Sequence, residues 1–505
     1  MLNRYDVKTY TDILTEKGLV TKLSADDSTL SAVVGCLTFD NREVVPNAVF
    51  VCKGAHFKEE YLRSAVEKGA VIYVSETEYD VDCPAVIVSD IRRAMSYLAK
   101  VFYNDSPSKI KSVGITGTKG KSTTAYYVRS ILEAYSPNTT AVLSSIENYD
   151  GVIKEESHLT TPEAIPLFRH FSNAYESGLE SLVMEVSSQA LKYDRVFGVR
   201  FDVACFTNVG TDHISPIEHP DFEDYFASKL KIFDSCRVAC VNSGMDHADR
   251  VIKEAAAKSE RMIKFGYKET DDIYCPYRRR ENGRTVFGVR TPDWEKEMSI
   301  AMPGMFNVDN ALAAIAVCFA LGVSPEAMAK GLENAAVAGR MEVFRSDDGR
   351  IVAVVDYAHN EMSFEALFRY AESDYPSYRK FVVFGCPGKK AFLRRHDLGT
   401  IAGKKCDISF ITEEDAGEEP VSVISAEIAK YVTEAGGVAR IIDDRGDAIR
   451  SALLENGKDI VVFITGKGRE TRQKRGVLYI DTPSDTDYVT KCIAEYNASL
   501  RAVKA

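Results

Sequence analysis

The chain has 505 residues, of which 45% are hydrophobic and 27% are charged, so the composition fits a folded protein of about three domains. A formal net charge of −11 argues against a general nucleic-acid-binding surface, which needs a basic face. The 11 cysteines are scattered singly, no uncharged stretch reaches membrane-spanning length, and the N-terminus has no apolar run with a cleavage site. We therefore expect reduced thiols in a cytoplasmic protein without membrane insertion.

Short β-rich runs at 48–51 and 70–74 lie between amphipathic segments in the first hundred residues. This pattern predicts a small α/β domain over residues 1–107. The polar stretch at 104–108 is typical of a linker, and the apolar run at 110–116 after it predicts a strand that leads into a glycine-rich loop.

The middle of the chain alternates apolar runs with longer helical stretches. Candidate buried strands lie at 181–186, 203–207 and 237–242, which predicts a doubly wound, mostly parallel sheet with helices on both faces. A helical stretch then extends to about residue 336. We place this central domain at 108–338.

A fresh α/β series begins at residue 339, where Gly339-Arg340-Met341-Glu342 follows the helical stretch. The domain should extend over residues 339–505 and again contain a sheet covered by helices. We expect its strands at 351–355, 381–385, 408–412, 439–442 and 460–465.

The strongest motif is GITGTKGKST at residues 114–123, which follows a predicted strand and opens a predicted helix. Its glycines let backbone N–H groups surround a phosphate at a helix N-terminus. Lys121 would neutralise the β- and γ-phosphates, and Ser122 would bind a magnesium ion. Ile115 stands where the general pattern has glycine, but the order of strand, loop and helix disfavours an ordinary glycine turn.

Two further candidates follow buried strands: Glu185 in MEVSS and His213 in TNVGTDH. Because the carboxyl ends of parallel strands meet at one edge of a sheet, these side chains could hold magnesium near the phosphate loop. Taken alone, each is more often a solvated or core residue. Their combination with the loop favours a functional role.

These motifs resemble the Mur ligase family and, within it, the members that add the third peptide residue to UDP-N-acetylmuramoyl-L-alanyl-D-glutamate. The resemblance extends over nearly the whole chain. Its motifs are TFDNR (38–42), VFVCKG (49–54), GTKGKS (117–122), TTP (160–162), MEVSS (184–188), TNVGTDH (207–213), GMFNVDN (304–310), GRME (339–342), DYAH (356–359) and TGKGRE (465–470).

The resemblance implies a three-domain Mur ligase architecture. The N-terminal domain would bind the UDP-sugar, the central domain ATP, and the Rossmann-like C-terminal domain the incoming amino acid. The implied cofactors are ATP and Mg²⁺, and the implied partners are UDP-N-acetylmuramoyl-dipeptide and an amino acid, with the protein expected to be a monomer. The side-chain carboxylate of D-glutamate would attack the γ-phosphate, and the amine of the third residue would then displace phosphate from the acyl phosphate.

The same resemblance assigns individual residues. Nucleotide contacts fall on Gly117, Thr118, Lys119, Gly120, Lys121, Ser122, Thr123, Asn307, Asn310, Arg340, Asp356 and His359. Substrate contacts fall on Asn41, Thr160, Thr161, Ser187, Arg195, Lys390, Glu414, Asp415, Gly466 and Glu470. The catalytic residues would be Lys121, Glu185, His213 and Lys229.

Lys229 aligns with the lysine that is carbamylated in this family, and it would hold magnesium together with Ser122, Glu185 and His213. Carbamylation converts a cation into an oxygen-donor anion, which Mg²⁺ prefers. A lysine on an amphipathic helix is otherwise usually solvated, so this role depends on the resemblance alone.

Two segments depart from the family pattern where the amino acid would be chosen. FGCPGKKAFLRR at 384–395 has Lys390 in place of the first arginine, and EDAG at 414–417 replaces the DNPR of diaminopimelate-adding members. Without that arginine, Glu414 and Asp415 suit a distal ammonium better than a distal carboxylate, which predicts L-lysine as substrate.

Several alternatives stay open. The acids at 413–419 could form a solvated turn, and a nearby cation such as Arg394 or Arg395 could replace the missing arginine and admit meso-diaminopimelate. Folylpolyglutamate synthetase shares the ATP and C-terminal domains but lacks a UDP-binding domain like residues 1–107. A non-catalytic paralogue that binds nucleotide sugar is a third possibility, although the intact Lys121 and Glu185 disfavour it.

Overall fold

The computed structural model describes residues 4–54, 57–215, 218–389, 392–455 and 459–504. Within these ranges the chain forms three large mixed or parallel sheets covered by helices, so the predicted α/β class is confirmed. None of the described helices is both long and apolar enough to cross a lipid bilayer. All 11 cysteines are free thiols, and most of them are buried, as expected.

The N-terminal sheet has the strand order β1-β5-β4-β3-β2, with β1 antiparallel to β5 and the other pairs parallel. Asp6 and Asp90 begin two of its helices, because each carboxylate accepts backbone N–H groups of the first turn. Its strands are β1 (Val20–Leu23), β2 (Cys36–Thr38), β3 (Ala48–Val51), β4 (Ala70–Ser75) and β5 (Ala85–Val88). Its helices are α1 (Val7–Glu16), α2 (Asp27–Leu30), α3 (Glu59–Glu67) and α4 (Ile91–Phe102).

The first strand of the central sheet along the chain is β6 (Lys111–Thr116), which lies between β10 and β11 in the sheet. The other strands are β7 (Thr140–Leu143), β8 (Glu147–Tyr149), β9 (Lys154–Glu156), β10 (Ser181–Glu185), β11 (Phe201–Phe206), β12 (Cys236–Asn242), β13 (Arg261–Gly266), β14 (Ile273–Tyr274), β15 (Arg278–Glu281), β16 (Arg284–Arg290) and β17 (Glu295–Ile300). The helices are α5 (Lys121–Tyr135), α6 (Ala164–Glu176), α7 (Ser188–Lys192), α8 (Phe222–Leu230), α9 (Ala248–Lys258), α10 (Asn307–Ala320) and α11 (Pro325–Glu333), with 3₁₀ helices at Ser106–Lys109 and Lys231–Ser235.

The order of this sheet is β15-β16-β14-β13-β12-β11-β6-β10-β7-β8-β9, with β17 paired to β16. Its middle strands are parallel, as predicted, but both ends carry antiparallel strands that the pattern analysis did not predict. The turn between β15 and β16 contains Asn282 and Gly283, both at positive φ. An Asn-Gly pair favours a tight hairpin turn, so this signal was present in the sequence.

The C-terminal sheet has the order β18-β19-β23-β20-β21-β22, and β18 alone is antiparallel to its neighbour within it. Its strands are β18 (Glu342–Arg345), β19 (Ile351–Asp356), β20 (Arg379–Phe384), β21 (Ile408–Ile411), β22 (Ala439–Ile441) and β23 (Ile460–Thr465), and a separate hairpin contains β24 (Arg472–Arg475) and β25 (Leu478–Asp481). Its helices are α12 (Glu361–Asp374), α13 (Phe392–Lys405), α14 (Val421–Glu434), α15 (Arg445–Leu453) and α16 (Asp485–Lys504). The predicted strands of this region are confirmed to within about two residues.

The hydrophobic cores are shared between neighbouring segments. One cluster joins residues of the N-terminal and central sheets, and another joins the central and C-terminal sheets. The predicted linker at 104–108 is ordered in part, because Ser106 and Pro107 are buried in a 3₁₀ helix and the Ser106 hydroxyl donates to the Phe168 carbonyl at 3.0 Å. The domain boundaries after residues 107 and 338 stay predictions.

Candidate active site

A cavity of about 680 Å³ lies where the carboxyl ends of the central strands face those of the C-terminal sheet. Strands β6, β10 and β11 contribute one wall, and β19 and β23 lead into the other. Of the predicted site residues it is lined by Thr118, Lys119, Gly120, Lys121, Ser122, Thr123, Thr160, Glu185, His213, Asn307, Asn310, Arg340, Asp356, His359, Glu414, Asp415, Gly466 and Glu470.

The phosphate loop is built around two glycines at positive φ, Gly117 at 151° and Gly120 at 82°. A Cβ at Gly117 would overlap the Thr207 hydroxyl, and one at Gly120 would overlap the Asn310 amide. Asn310 in turn donates to the Asn307 side chain at 2.9 Å. The loop therefore needs glycine at both positions, and the start of α10 packs directly against it.

Two lysines of this loop are enclosed by the cavity walls. Lys121 Nζ donates to the carbonyls of Gly117 at 2.9 Å and Thr118 at 3.2 Å, and burial lowers its pKa despite the nearby Glu185 carboxylate. Lys119 Nζ lies 3.0 Å from His359 Nε2, and burial lowers the pKa of Lys119 to about 7. Because both ammonium groups are poorly solvated, an anionic phosphate would be strongly attracted to them.

A chain of oxygen atoms connects the phosphate loop to the end of β10. Ser122 Oγ lies 3.1 Å from Ser145 Oγ, and the Ser145 amide and hydroxyl donate to Glu185 Oε1 at 2.8 Å and 3.2 Å. Arg340 approaches both hydroxyls at 3.4 Å and lies over the Tyr357 ring. Hydroxyl and carboxylate oxygens are the donors that Mg²⁺ prefers.

The other two candidate metal ligands, His213 and Lys229, are not part of this chain of oxygen atoms. His213 lines the cavity at positive φ, and its Nδ1 contacts Glu218 Oε1 at 3.0 Å. Lys229 is buried behind the phosphate loop, where its Nζ donates to the Gly117 carbonyl at 2.8 Å and lies over the Tyr225 ring. Burial holds the pKa of Lys229 well below its usual range.

Among the described residues, no group of three or more His, Cys, Asp or Glu side chains is arranged to hold a metal ion. A magnesium site at this edge would therefore need the Ser122 hydroxyl, an added carbamate on Lys229 or phosphate oxygens besides Glu185. The oxygen chain through Ser145 fits such a site.

The opposite end of the cavity carries the acids predicted to contact the amino acid. Glu414 is buried, and burial raises its pKa to about 7 although Arg445 opposes the shift. Asp415 Oδ1 accepts from Lys467 Nζ at 3.1 Å, and Glu470 accepts from the Tyr357 hydroxyl at 2.6 Å.

Gly466, at φ 102°, faces Glu414 closely enough that a Cβ would overlap the Glu414 carboxylate. Glu414 also lines the cavity, and within the described ranges it forms no direct salt bridge, although Arg445, Lys467 and Arg394 are near enough to lower its pKa.

The segment at 413–419 is not a solvated acidic turn. Glu413 and Glu414 are buried, and Glu413 forms a bidentate pair with Arg475. Its other acids are also paired: Asp415 with the buried Lys467, Glu419 with the buried Arg395, and Glu418 with the exposed Lys389.

Four other predicted substrate residues, Asn41, Thr161, Ser187 and Arg195, do not line the cavity. Thr161 donates to the Glu185 carbonyl at 2.9 Å, and Ser187 caps α7 by accepting from Ala190 N at 3.1 Å. Arg195 NH1 donates to the Thr161 carbonyl at 3.2 Å, so these three residues form a polar cluster beside Thr160. Asn41 donates to the Ser64 hydroxyl in the N-terminal segment. Lys390 lies outside the described residues.

Four cavity residues were not predicted from the sequence, namely Ser145, Asp212, Tyr357 and Lys467, whereas Arg394 was named there only as a possible replacement for the missing arginine. Ser145 follows β7, which is parallel to β10, so the strand-end argument that identified Glu185 would also have identified it. Asp212, Tyr357 and Lys467 stand inside motifs that were recognised for other residues.

Comparisons with known proteins agree with this geometry. Residues 115–318 match the Mur ligase middle domain, and residues 339–468 match the Mur ligase glutamate ligase domain. A UDP-N-acetylmuramoyl-L-alanyl-D-glutamate–L-lysine ligase from Streptococcus thermophilus is 38% identical over 441 residues, which cover 86% of this chain and 88% of that protein.

Two solved structures share the fold. One is a UDP-N-acetylmuramoyl-L-alanyl-D-glutamate–2,6-diaminopimelate ligase, with a TM-score of 0.65, 22% identity and coverage of 98% of this chain and 99% of that chain. The other is the MurF ligase of Thermotoga maritima in complex with ADP, with a TM-score of 0.63, 19% identity and coverage of 92% and 98%.

A parallel nucleotide-binding sheet whose phosphate loop faces a second α/β sheet across a charged cavity defines a ligase of this architecture. On these matches, the chain belongs to the Mur ligase family. The resemblance and the ligase class predicted from the motifs are confirmed.

Proposed function

We propose that this protein is an ATP-dependent ligase that joins L-lysine to the D-glutamate side-chain carboxylate of UDP-N-acetylmuramoyl-L-alanyl-D-glutamate in the cytoplasm. The observation that carries the lysine assignment is Glu414, a buried carboxylate that lines the cavity and forms no direct salt bridge among the described residues. Its cationic neighbours Arg445, Lys467 and Arg394 act on its pKa only from a distance. The name of the Streptococcus thermophilus relative supports the same substrate pair.

The phosphate loop would bind the nucleotide. The N–H groups at the start of α5 would point at a bound phosphate, and Lys121 would neutralise charge that develops on the γ-phosphate as the D-glutamate carboxylate attacks it. The products of this step are ADP and an acyl phosphate. Asn307 and Asn310, which pack against the loop, would hold the nucleotide beside it.

When bound, Mg²⁺ would offset negative charge on the phosphates. Ser122 and Glu185 would hold it, with Ser145 keeping the Glu185 carboxylate oriented. His213 lies in the same cavity, and its pairing with Glu218 sets the direction of the ring. We keep Lys229 in this set only in its carbamylated form, because its low pKa favours the neutral amine that reacts with CO₂.

The amine of lysine would then attack the acyl carbonyl and expel phosphate, with loss of one proton. Glu470 and the Gly466 turn would receive the α-amino end, and Glu414 would accept the ε-ammonium. The C-terminal wall, which lies opposite the phosphate loop, would exclude water from the acyl phosphate. Thr161, Ser187 and Arg195 would hold the muramoyl-dipeptide beside Thr160.

The test is phosphate release from ATP with UDP-muramoyl-L-alanyl-D-glutamate and a panel of L-lysine, L-ornithine and meso-diaminopimelate. We expect L-lysine to give the highest kcat/KM, with one amino acid added to each UDP-muramoyl-dipeptide. Preference for diaminopimelate would contradict the role of Glu414. Absence of turnover with every amino acid, together with nucleotide-sugar binding, would instead favour a non-catalytic paralogue.

A further inference from the structure

The cations near the amino-acid end of the cavity differ in where their partners lie. Five of them pair with acids of the same C-terminal segment: Lys389 with Glu418, Arg395 with Glu419 and Glu427, Arg445 with Asp485, Lys467 with Asp415 and Glu470, and Arg475 with Glu413. Arg394 also lines the cavity, but its partner is Asp212 of the central segment.

Asp212 is a buried junction between the two segments. Its Oδ1 accepts from Arg394 NH2 at 2.7 Å, and its Oδ2 accepts from the Asn360 amide at 2.8 Å and lies 3.6 Å from Lys119 Nζ. The side chains of Asp212 and Arg394 are 3% and 15% exposed, so water screens this pair poorly. The charge of Arg394 is therefore compensated by an acid of the central segment.

Arg394 still has capacity to bind an anion. It uses NH2 for Asp212, and its buried Nε has no hydrogen-bond partner within the described part of the chain. Arg394 and Glu414 line the same cavity, and each affects the ionisation of the other. A guanidinium freed from Asp212 could thus supply the carboxylate contact that the EDAG segment lacks.

We propose that Asp212 is a specificity-determining residue: by pairing with Arg394 it compensates a cavity-lining cation that could otherwise stabilise a distal carboxylate, and so makes the site select an ammonium. This inference rests on the proposed function. A diaminopimelate carboxylate would have to separate a buried pair to bind Arg394 fully, a step that typically disfavours binding by about 100-fold or more.

The experiment compares kcat/KM for L-lysine and meso-diaminopimelate in the wild type, Asp212→Asn, Arg394→Met and the double variant. Asp212→Asn should shift the ratio towards diaminopimelate by about tenfold or more, because the uncompensated guanidinium attracts the carboxylate and repels the ε-ammonium. Arg394→Met should keep the lysine preference. The double variant should not show the shift towards diaminopimelate that Asp212→Asn shows. Folding is checked by thermal melting.

Asn360→Ala is the matched control, since it removes a hydrogen bond from Asp212 without changing any charge. An unchanged ratio in Asp212→Asn, or an equal change in Asn360→Ala, would overturn the proposal. If Asp212→Asn does not turn over, calorimetric binding of both amino acids in the presence of ADP and the UDP-dipeptide gives the same ratio. A wild type that uses neither amino acid refutes the proposed function instead, which separates the two failures.

Discussion

The Nζ atom of Lys229 donates a 2.8 Å hydrogen bond to the Gly117 carbonyl, so helix α8 supports the phosphate loop from behind. Two roles are compatible with this contact. The lysine could hold the loop as an amine, or its carbamate could reach the metal region beside Ser122 and Glu185. These roles predict different behaviour when the side chain is removed.

For Lys229→Ala we expect nearly complete loss of activity, with partial recovery when formate or acetate is added. A short carboxylate can occupy the space of the lost carbamate, whereas it cannot replace a hydrogen bond donor to Gly117. The measurement is turnover against carboxylate concentration, with Lys121→Ala as a control that should show no recovery. Wild-type protein whose Lys229 carries no added CO₂ while active would contradict the carbamate role.

Lys121→Ala should lower kcat by about 10²–10³-fold and leave the fold intact, because the lost charge acts on phosphate and makes no core contact. Steady-state kinetics measures the fall in kcat, and circular dichroism checks that the fold is intact. Near-normal turnover in this variant would remove the phosphate-loop assignment.

Ser145→Ala should raise the Mg²⁺ concentration needed for half-maximal activity by about tenfold. The variant loses the hydroxyl that lies between Ser122 and Glu185, and groups that orient a metal ligand commonly contribute this much to metal affinity. Activity is titrated with Mg²⁺. Ser130→Ala is the control, because the Ser130 hydroxyl donates to the Gly331 carbonyl on the outer side of α5.

Glu414→Gln should stabilise the protein at pH 8 and have little effect at pH 4.5. The raised pKa of Glu414, about 7 against 4.5, means that its neutral form suits the folded state and that stability is lost as pH rises from about 4.5 to 7. A shift of this size corresponds to about 3 kcal/mol. Thermal midpoints of both proteins at the two pH values test this directly.

The same variant should raise KM for L-lysine, because the amide cannot form an ion pair with the ε-ammonium. In the wild type, KM for lysine should fall as pH rises through about 7, since Glu414 becomes ionised. The pH profile of Glu414→Gln should lack this step. An identical profile in both proteins would show that Glu414 does not contact the amino acid.

Asp485→Ala should destabilise the protein by about 3–5 kcal/mol, because it leaves Arg445 buried without its bidentate partner. Asp485 also accepts from Gly468 N at 3.0 Å, so the TGKGRE turn should loosen as well. Asp347→Ala is the comparison, since its pair with Arg501 is exposed and should contribute less than about 1 kcal/mol. Similar losses in both variants would contradict the buried-pair argument.

Local sequence signals predicted much of the fold. Apolar runs ending in polar residues correctly located β6, β10 and β11, because strands buried on both faces must be continuously apolar. The hairpin at Asn282 and Gly283 was not predicted although its turn signal is strong, since the strand before the turn has no apolar residues. Short, charged strands such as β15 carry too little apolar pattern to be recognised by periodicity.

By itself, the sequence determined the phosphate loop, the family and many of the residues that line the cavity, since these depend on local order along the chain. Only the tertiary structure decided which charges are free. Glu414 and Asp415 are neighbours in sequence, yet Lys467 pairs with Asp415 and leaves Glu414 facing the cavity. Arg394 is paired by Asp212, 182 residues away. Such pairings depend on which side chains are close together and buried in the folded protein, and the spacing of residues along the chain does not reveal this.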